Sequence, residues 1–189
     1  MLLVEEVLER AKIGFQDLDA VAVSEGPGSY TGLRIGVSTA KGLAFGLSKP
    51  LIGVNTLQAL ASAVDVKEGE LIIPVLDARR MEVYREVFDW NLDSVAKLDA
   101  EVLSEGSFQN FLEGHRVYFL GDAVDKVASV VQHDHAEFIS DLSFSARYMG
   151  KIAFDRYQKE QFADLAYFVP NYLKEFKALH SKKNPLLSI

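Results

Sequence analysis

The chain has 189 residues, 49% hydrophobic and 25% charged, with 20 basic against 27 acidic side chains and a formal charge of -7. That size and apolar share suit one domain or two small lobes with a real core, and the acidic balance argues against a broad nucleic-acid-coating surface. There is no cysteine, which excludes disulfides, thiolate chemistry and cysteine-based metal sites, and no apolar run has the length of a membrane span.

The start, MLLVEEVLERAK, is too acidic for a secretory signal, so cytoplasm is the expected location. Leu3, Val4, Val7, Leu8 and Ala11 recur at helical spacing against Glu5, Glu6, Glu9, Arg10 and Lys12, which predicts an amphipathic helix closed near Gly14. Residues 19–23 (DAVAV) read as a strand, 31–47 as a helix and 51–54 as a second strand after Pro50. Asn55 or Thr56 caps a helix reaching about Val64. Strand, helix, strand, helix is the order of an α/β lobe with a parallel sheet.

A second block starts with the strand LIIPVL at 71–76, followed by strands at 80–89, 94–102 and 117–120. Helices are expected over 123–131 and 144–157, the second carrying Ala146, Met149, Ile152, Ala153 and Tyr157 on or near one stripe. The expected division is a first lobe over 1–70, a mixed α/β lobe over 71–175 and a tail over 176–189.

The stretch SEGPGSYTGLRIG (24–36) holds four glycines between a strand and a helix. It lacks the lysine of the phosphate loop, and Thr31 stands where the dinucleotide fingerprint needs its last glycine. What remains is a tight turn and a helix N-terminus. The helix itself says more. Gly32, Gly36 and Ala40 sit four apart with Ile35, Thr39 and Leu43 beside them, then Gly42 and Gly46. Glycine inside a helix costs roughly 1 kcal/mol against alanine, so the small residues point to a close neighbour, either in the same lobe or on a partner.

Asp77, Arg79, Arg80 and Glu82 follow an apolar strand, and Gly121 and Asp122 follow another. A cleft there would use Asp77, Arg79, Gly121 and Asp122, since strand ends can carry chemistry; salt-bridged turns are the plainer reading. His133 and His135 read as a solvated turn, with no metal-binding histidine spacing anywhere in the chain. No catalytic set assembles. By residues alone the chain reads as an interaction protein rather than an enzyme.

GPGSYTGLRIG (26–36), STAKGLAFG (38–46) and IGVNTLQALA (52–61) closely resemble the bacterial YeaZ/TsaB family. DARRMEVY (77–84), GDA (121–123) and PNYLK (170–174) are similar to later family motifs, with Lys174 where arginine is usual. The resemblance implies an actin-like, sugar-kinase-like fold of two ribonuclease-H-like lobes. It also implies a non-catalytic partner of TsaD in the threonylcarbamoyl modification of adenosine 37 of tRNA. A TsaE-like ATPase would join the complex, ATP and Mg would belong to that wider complex rather than to this chain, and tRNA contact would be indirect. Catalytic relatives hold metal through two histidines four apart, a pair this chain lacks.

Carried onto this sequence, the partner surface would be the helices over 2–12 and 32–46, with Leu3, Val7, Arg10, Gly32, Ile35, Gly36, Thr39, Ala40 and Leu43 facing TsaD or a second copy in a homodimer. The family opens with a D-T-S or D-T-A strand and a hairpin ahead of the first helix. Neither precedes Leu2, so the expectation is a first lobe lacking its N-terminal strands, with an unprotected sheet edge and an incomplete nucleotide cleft. The alternatives are a small actin-like kinase or ATPase using Asp77, and a glycoprotease-like metallopeptidase using His133 and His135.

Overall fold

The computed structural model describes residues 2–173; Lys174 and the tail over 176–189 lie outside the described residues. The elements run α1 (Leu2–Ala11), β1 (Val21–Gly26), α2 (Tyr30–Leu47), β2 (Leu51–Asn55), α3 (Thr56–Ala61), β3 (Leu71–Asp77), β4 (Glu82–Phe88), β5 (Ser94–Val102), α4 (Gln109–Leu112), β6 (Val117–Leu120), α5 (Val124–Ala128), β7 (Ala136–Ile139) and α6 (Gly150–Gln158). Short 3-10 turns occupy Phe15–Asp17 and Ala146–Met149.

Strands β1 and β2 form a parallel pair, with Val21 opposite Leu51 and Gly26 opposite Asn55. This pairing carries β1 three residues past the predicted end at Val23, so the glycine-rich stretch begins inside the sheet. Alternate residues of β2 serve two cores, as the strand period of two requires. Leu51 packs with Val23, Val37, Ala40 and Ala44 under α2, while Ile52 and Val54 pack with Ala59 and Ile152 on the other face. Among the described residues β1 pairs with β2 alone. Beside β1 lies a cavity of about 230 Å³ lined by Asp19, Ala20, Ala22, Ile52, Ala153, Phe154 and Tyr157.

The second sheet has the order β5-β4-β3-β6-β7. The β3–β4 and β4–β5 pairs are antiparallel, and β3–β6 and β6–β7 are parallel. One face holds Ile73, Val75, Val83, Val87, Val117 and Phe119 against Phe108, Leu112, Val124 and Val127. The other holds Ile72, Leu76, Phe88 and Leu120 against Leu57, Leu60 and Ala61 of α3. Helix α3 is thus shared, with Ala59 serving the first core and Leu57, Leu60 and Ala61 the second.

Several local expectations are corrected. Helix α1 ends at Ala11, with Lys12 in the left-handed region (φ 57); Gly14 instead starts the next turn, its N–H donating to Asp17 Oδ2 at 2.8 Å. Helix α3 stops at Ala61 and α5 spans only Val124–Ala128, both shorter than predicted. The predicted helix over 144–157 is a 3-10 turn capped by Ser145, followed by α6. Strand β7 arises where only a turn was expected around the two histidines. There β6 supplies a parallel edge, and Phe138 stacks on Phe119 with ring centroids 5.5 Å apart. Residues 146–171, placed with the second lobe by the sequence, return to the first sheet: Ile152 packs on Ile52 and Val54, and Ala163, Leu165 and Phe168 pack around Leu51.

Candidate functional site

Helix α2 carries two stripes of the same period. Leu33, Val37, Ala40 and Ala44 are buried, whereas Ile35, Ser38, Gly42, Phe45 and Gly46 are exposed. Large apolar side chains stand in water on that second stripe, with Ile35 64% and Phe45 77% exposed. On α1 only Leu8 is buried, and Leu3 and Val7 are 77% and 64% exposed. The apolar face of α1 predicted by the sequence therefore lies mostly open among the described residues. Several large apolar side chains exposed on one helix face are the material of interaction surfaces.

The residues expected at a partner surface divide accordingly. Leu3, Val7, Arg10, Gly32 and Ile35 are exposed, and Arg10 pairs with Glu6 one turn back at 2.5 Å. Gly36, Thr39 and Leu43 are half-buried. Ala40 is corrected: it is 6% exposed and sits in the core under β1 and β2. A Cβ at Gly36 would stand 3.9 Å from Val23 Cγ2, so this glycine also borders the parent sheet. The stripe of small residues thus admits the helix to its own sheet at 36 and 40. Sequence reasoning missed Phe45 and Leu2; the signal was the 3-4-3 spacing from Ile35 through Ser38 and Gly42 to Phe45.

At the N-terminus of α2 the turn is locally built. Gly26 has φ 111, a conformation suited to glycine. Ser29 caps the helix, its Oγ accepting from Gly32 N at 3.3 Å. Arg34 reaches back to Tyr30, with its guanidinium 5.5 Å from the ring centroid. Beneath the turn, burial pushes the Glu25 carboxyl above its usual range, while the charge of Arg156 pulls it down. Arg156 donates to Gly53 O and, at 3.3 Å, to Gln58 Oε1.

The expected cleft residues do meet. Asp77 at the end of β3 and Asp122 after β6 are neighbours, with Asp77 N donating to Asp122 Oδ1 at 2.8 Å. Asp77 Oδ1 accepts from Lys126 Nζ at 2.7 Å and from Arg79 N at 2.6 Å. These hydrogen bonds, that to Lys126 first, hold its carboxyl below the usual range. Both carboxylates thus close a turn. Gly121, at φ 118, lets its backbone lie against that of Val75. His133 and His135 stack edge to face at 5.2 Å, and His135 Nδ1 bonds to Leu112 O at 2.8 Å. Among the described residues no three His, Asp or Glu side chains group as metal ligands, and no helix is long and apolar enough to cross a membrane.

The family model for TsaD, tRNA N6-adenosine threonylcarbamoyltransferase, matches residues 1–182. The tRNA threonylcarbamoyladenosine biosynthesis protein TsaB of Bacillus subtilis (strain 168) is 33% identical over 95% of this chain and 82% of its own length. The chain belongs to the YeaZ/TsaB family. That family is the non-catalytic relative of TsaD. TsaB of Haemophilus influenzae is 40% identical over 43% of this chain, a match spanning only 35% of that protein. A solved YeaZ from Pseudomonas aeruginosa superimposes with a TM-score of 0.75 at 25% identity, covering 90% of this chain and 80% of that one. The YeaZ likeness agrees with the mixed α/β architecture described above.

Proposed function

We propose that this chain is a non-catalytic partner subunit, supporting a TsaD-type transferase in the threonylcarbamoyl modification of adenosine 37 of tRNA. The observation that carries this reading is the exposure of large apolar side chains on two helices, Leu3 and Val7 on α1 and Ile35 and Phe45 on α2. Two helices with apolar side chains left in water suit a helical partner, with Gly32, Gly42 and Gly46 exposed on α2 and leaving room for close approach. The same face serves a second copy of the chain in isolation, so homodimer and heterodimer compete. A TsaE-like ATPase completes the assembly, which holds ATP and Mg outside this subunit, in the cytoplasm. The finer fold reading is that of the actin-like, ribonuclease-H-like lobes, with β1 as an open edge of the first lobe. The formal charge of -7 supports indirect contact with tRNA.

The test is size-exclusion chromatography of this chain with its cognate TsaD-type protein. A heterodimer is expected, abolished by Phe45→Asp or Ile35→Asp while the thermal midpoint stays unchanged. Absence of any association, with or without nucleotide, overturns the reading.

A further inference from the structure

After α6 the chain doubles back across the first sheet as an extended strap over residues 163–173. Ala163 N donates to Leu51 O at 2.8 Å, and Asn171 N donates to Glu25 O at 2.7 Å. Between these points the Phe168 ring lies on Gly53, where an added Cβ would come within 2.8 Å of it. Two more anchors are on α2. Lys41 Nζ donates to the carbonyls of Ala166 at 3.1 Å and Phe168 at 3.0 Å. The Tyr30 ring packs on Tyr172 at 4.8 Å between centroids. Tyr30 and Lys41 are eleven residues apart, about 16 Å along the helix axis.

The strap turn is built to present those carbonyls. Asp164 Oδ1 accepts from Ala166 N at 2.9 Å and Tyr167 N at 3.2 Å, and Phe168 N donates to Asp164 O at 2.8 Å. The donors of the turn are thus used internally, and Lys41 supplies a donor to two of its acceptors. A side chain without that donor leaves the half-buried Phe168 carbonyl without the lysine bond, while the exposed Ala166 carbonyl returns to water.

We infer that Lys41 is a positioning residue: it latches the strap to α2, and the docked strap holds α2 in the pose that presents Ile35, Gly42 and Phe45 to a helical partner. The inference rests on the partner reading of that face. Lys41 acts from the border of the face through the strap. By linkage, the factor by which the docked strap strengthens partner binding is the factor by which the partner strengthens strap docking.

The experiment uses the full chain carrying Lys41→Met or Lys41→Arg, with two readouts. Hydrogen exchange at the Ala163 and Asn171 amides reports the strap, and affinity for the TsaD-type partner reports the face. Lys41→Met speeds exchange at both amides while the core amides of β3 keep their protection, and weakens partner binding by about tenfold. Lys41→Arg restores both, and partner added to the wild type slows exchange at the two amides. Unchanged exchange in Lys41→Met overturns the latch. Faster exchange with unchanged affinity overturns the coupling. A wild-type chain that binds no partner overturns the partner reading and the coupling with it, while the exchange data still judge the latch.

Discussion

The side-chain amide of Asn55 donates to Glu86 Oε2 over 2.6 Å, joining the end of β2 in the first sheet to β4 in the second. The same Asn55 caps α3, its Oδ1 accepting from Leu57 N at 2.8 Å and Gln58 N at 3.3 Å. Glu86 is buried, and its other oxygen accepts from Ser94 Oγ at 2.7 Å. One asparagine therefore starts the shared helix and ties it to β4.

Removing that acceptor leaves the Asn55 amide facing an unfilled place. Glu86→Ala lowers the unfolding free energy by about 1–3 kcal/mol, read from urea denaturation. Glu86→Gln keeps an acceptor for Asn55 and costs less. An alanine variant with the wild-type midpoint shows that the bond contributes nothing.

Asp77 has a depressed pKa, from its hydrogen bond to Lys126 first and to the Arg79 N–H second. A depressed acid stabilises the fold above its unfolded pKa, and the contribution is lost as pH falls through the folded pKa. The window therefore lies below the ordinary carboxyl value of 3.8. Lys126→Met returns the Asp77 titration toward that value, observable by carboxyl NMR, and removes this part of the acid dependence.

Glu25 has the opposite sign. Burial raises its pKa, so its contribution is fully present below the unfolded value of 4.5 and is lost as pH rises through the folded pKa. Glu25→Gln stabilises the protein at neutral pH, and the advantage disappears under acid conditions. Thermal melts at both pH values test this; a variant destabilised at neutral pH and not in acid assigns the Arg156 attraction the larger effect.

Two glycines give opposite outcomes on substitution by alanine. A Cβ at Gly121 meets the Val75 backbone at a φ of 118, so Gly121→Ala costs several kcal/mol or prevents folding. At Gly42, exposed on α2, an added Cβ meets nothing within 4 Å. Gly42→Ala gains about 0.5–1 kcal/mol from helix propensity. Gly42→Leu keeps the fold yet weakens partner association, which separates stability from binding in one position.

Most elements were legible because their signals are local. The apolar runs LIIPVL of β3 and VYFL of β6, buried on both faces apart from half-buried Tyr118, read as strands in any context. Asn55 announces α3 by its capping oxygen. Strand β7 was not legible: residues 133–139 carry little strand pattern, and the parallel edge of β6 draws them in. The strap was equally hidden, since Lys41 and Phe168 are far apart in sequence and their bond is a product of the return from α6.

The sequence by itself determined the family, the order of nearly all elements and the turn at Gly26, because motifs, caps and turn residues act over a few positions. Which stripe of α2 faces inward was decided only by the tertiary structure. The stripes 33-37-40-44 and 35-38-42-45 share one period and similar small and apolar residues, so periodicity leaves them equal. The packing of Val23 and Leu51 against Val37, Ala40 and Ala44 breaks the tie and leaves Ile35 and Phe45 in water.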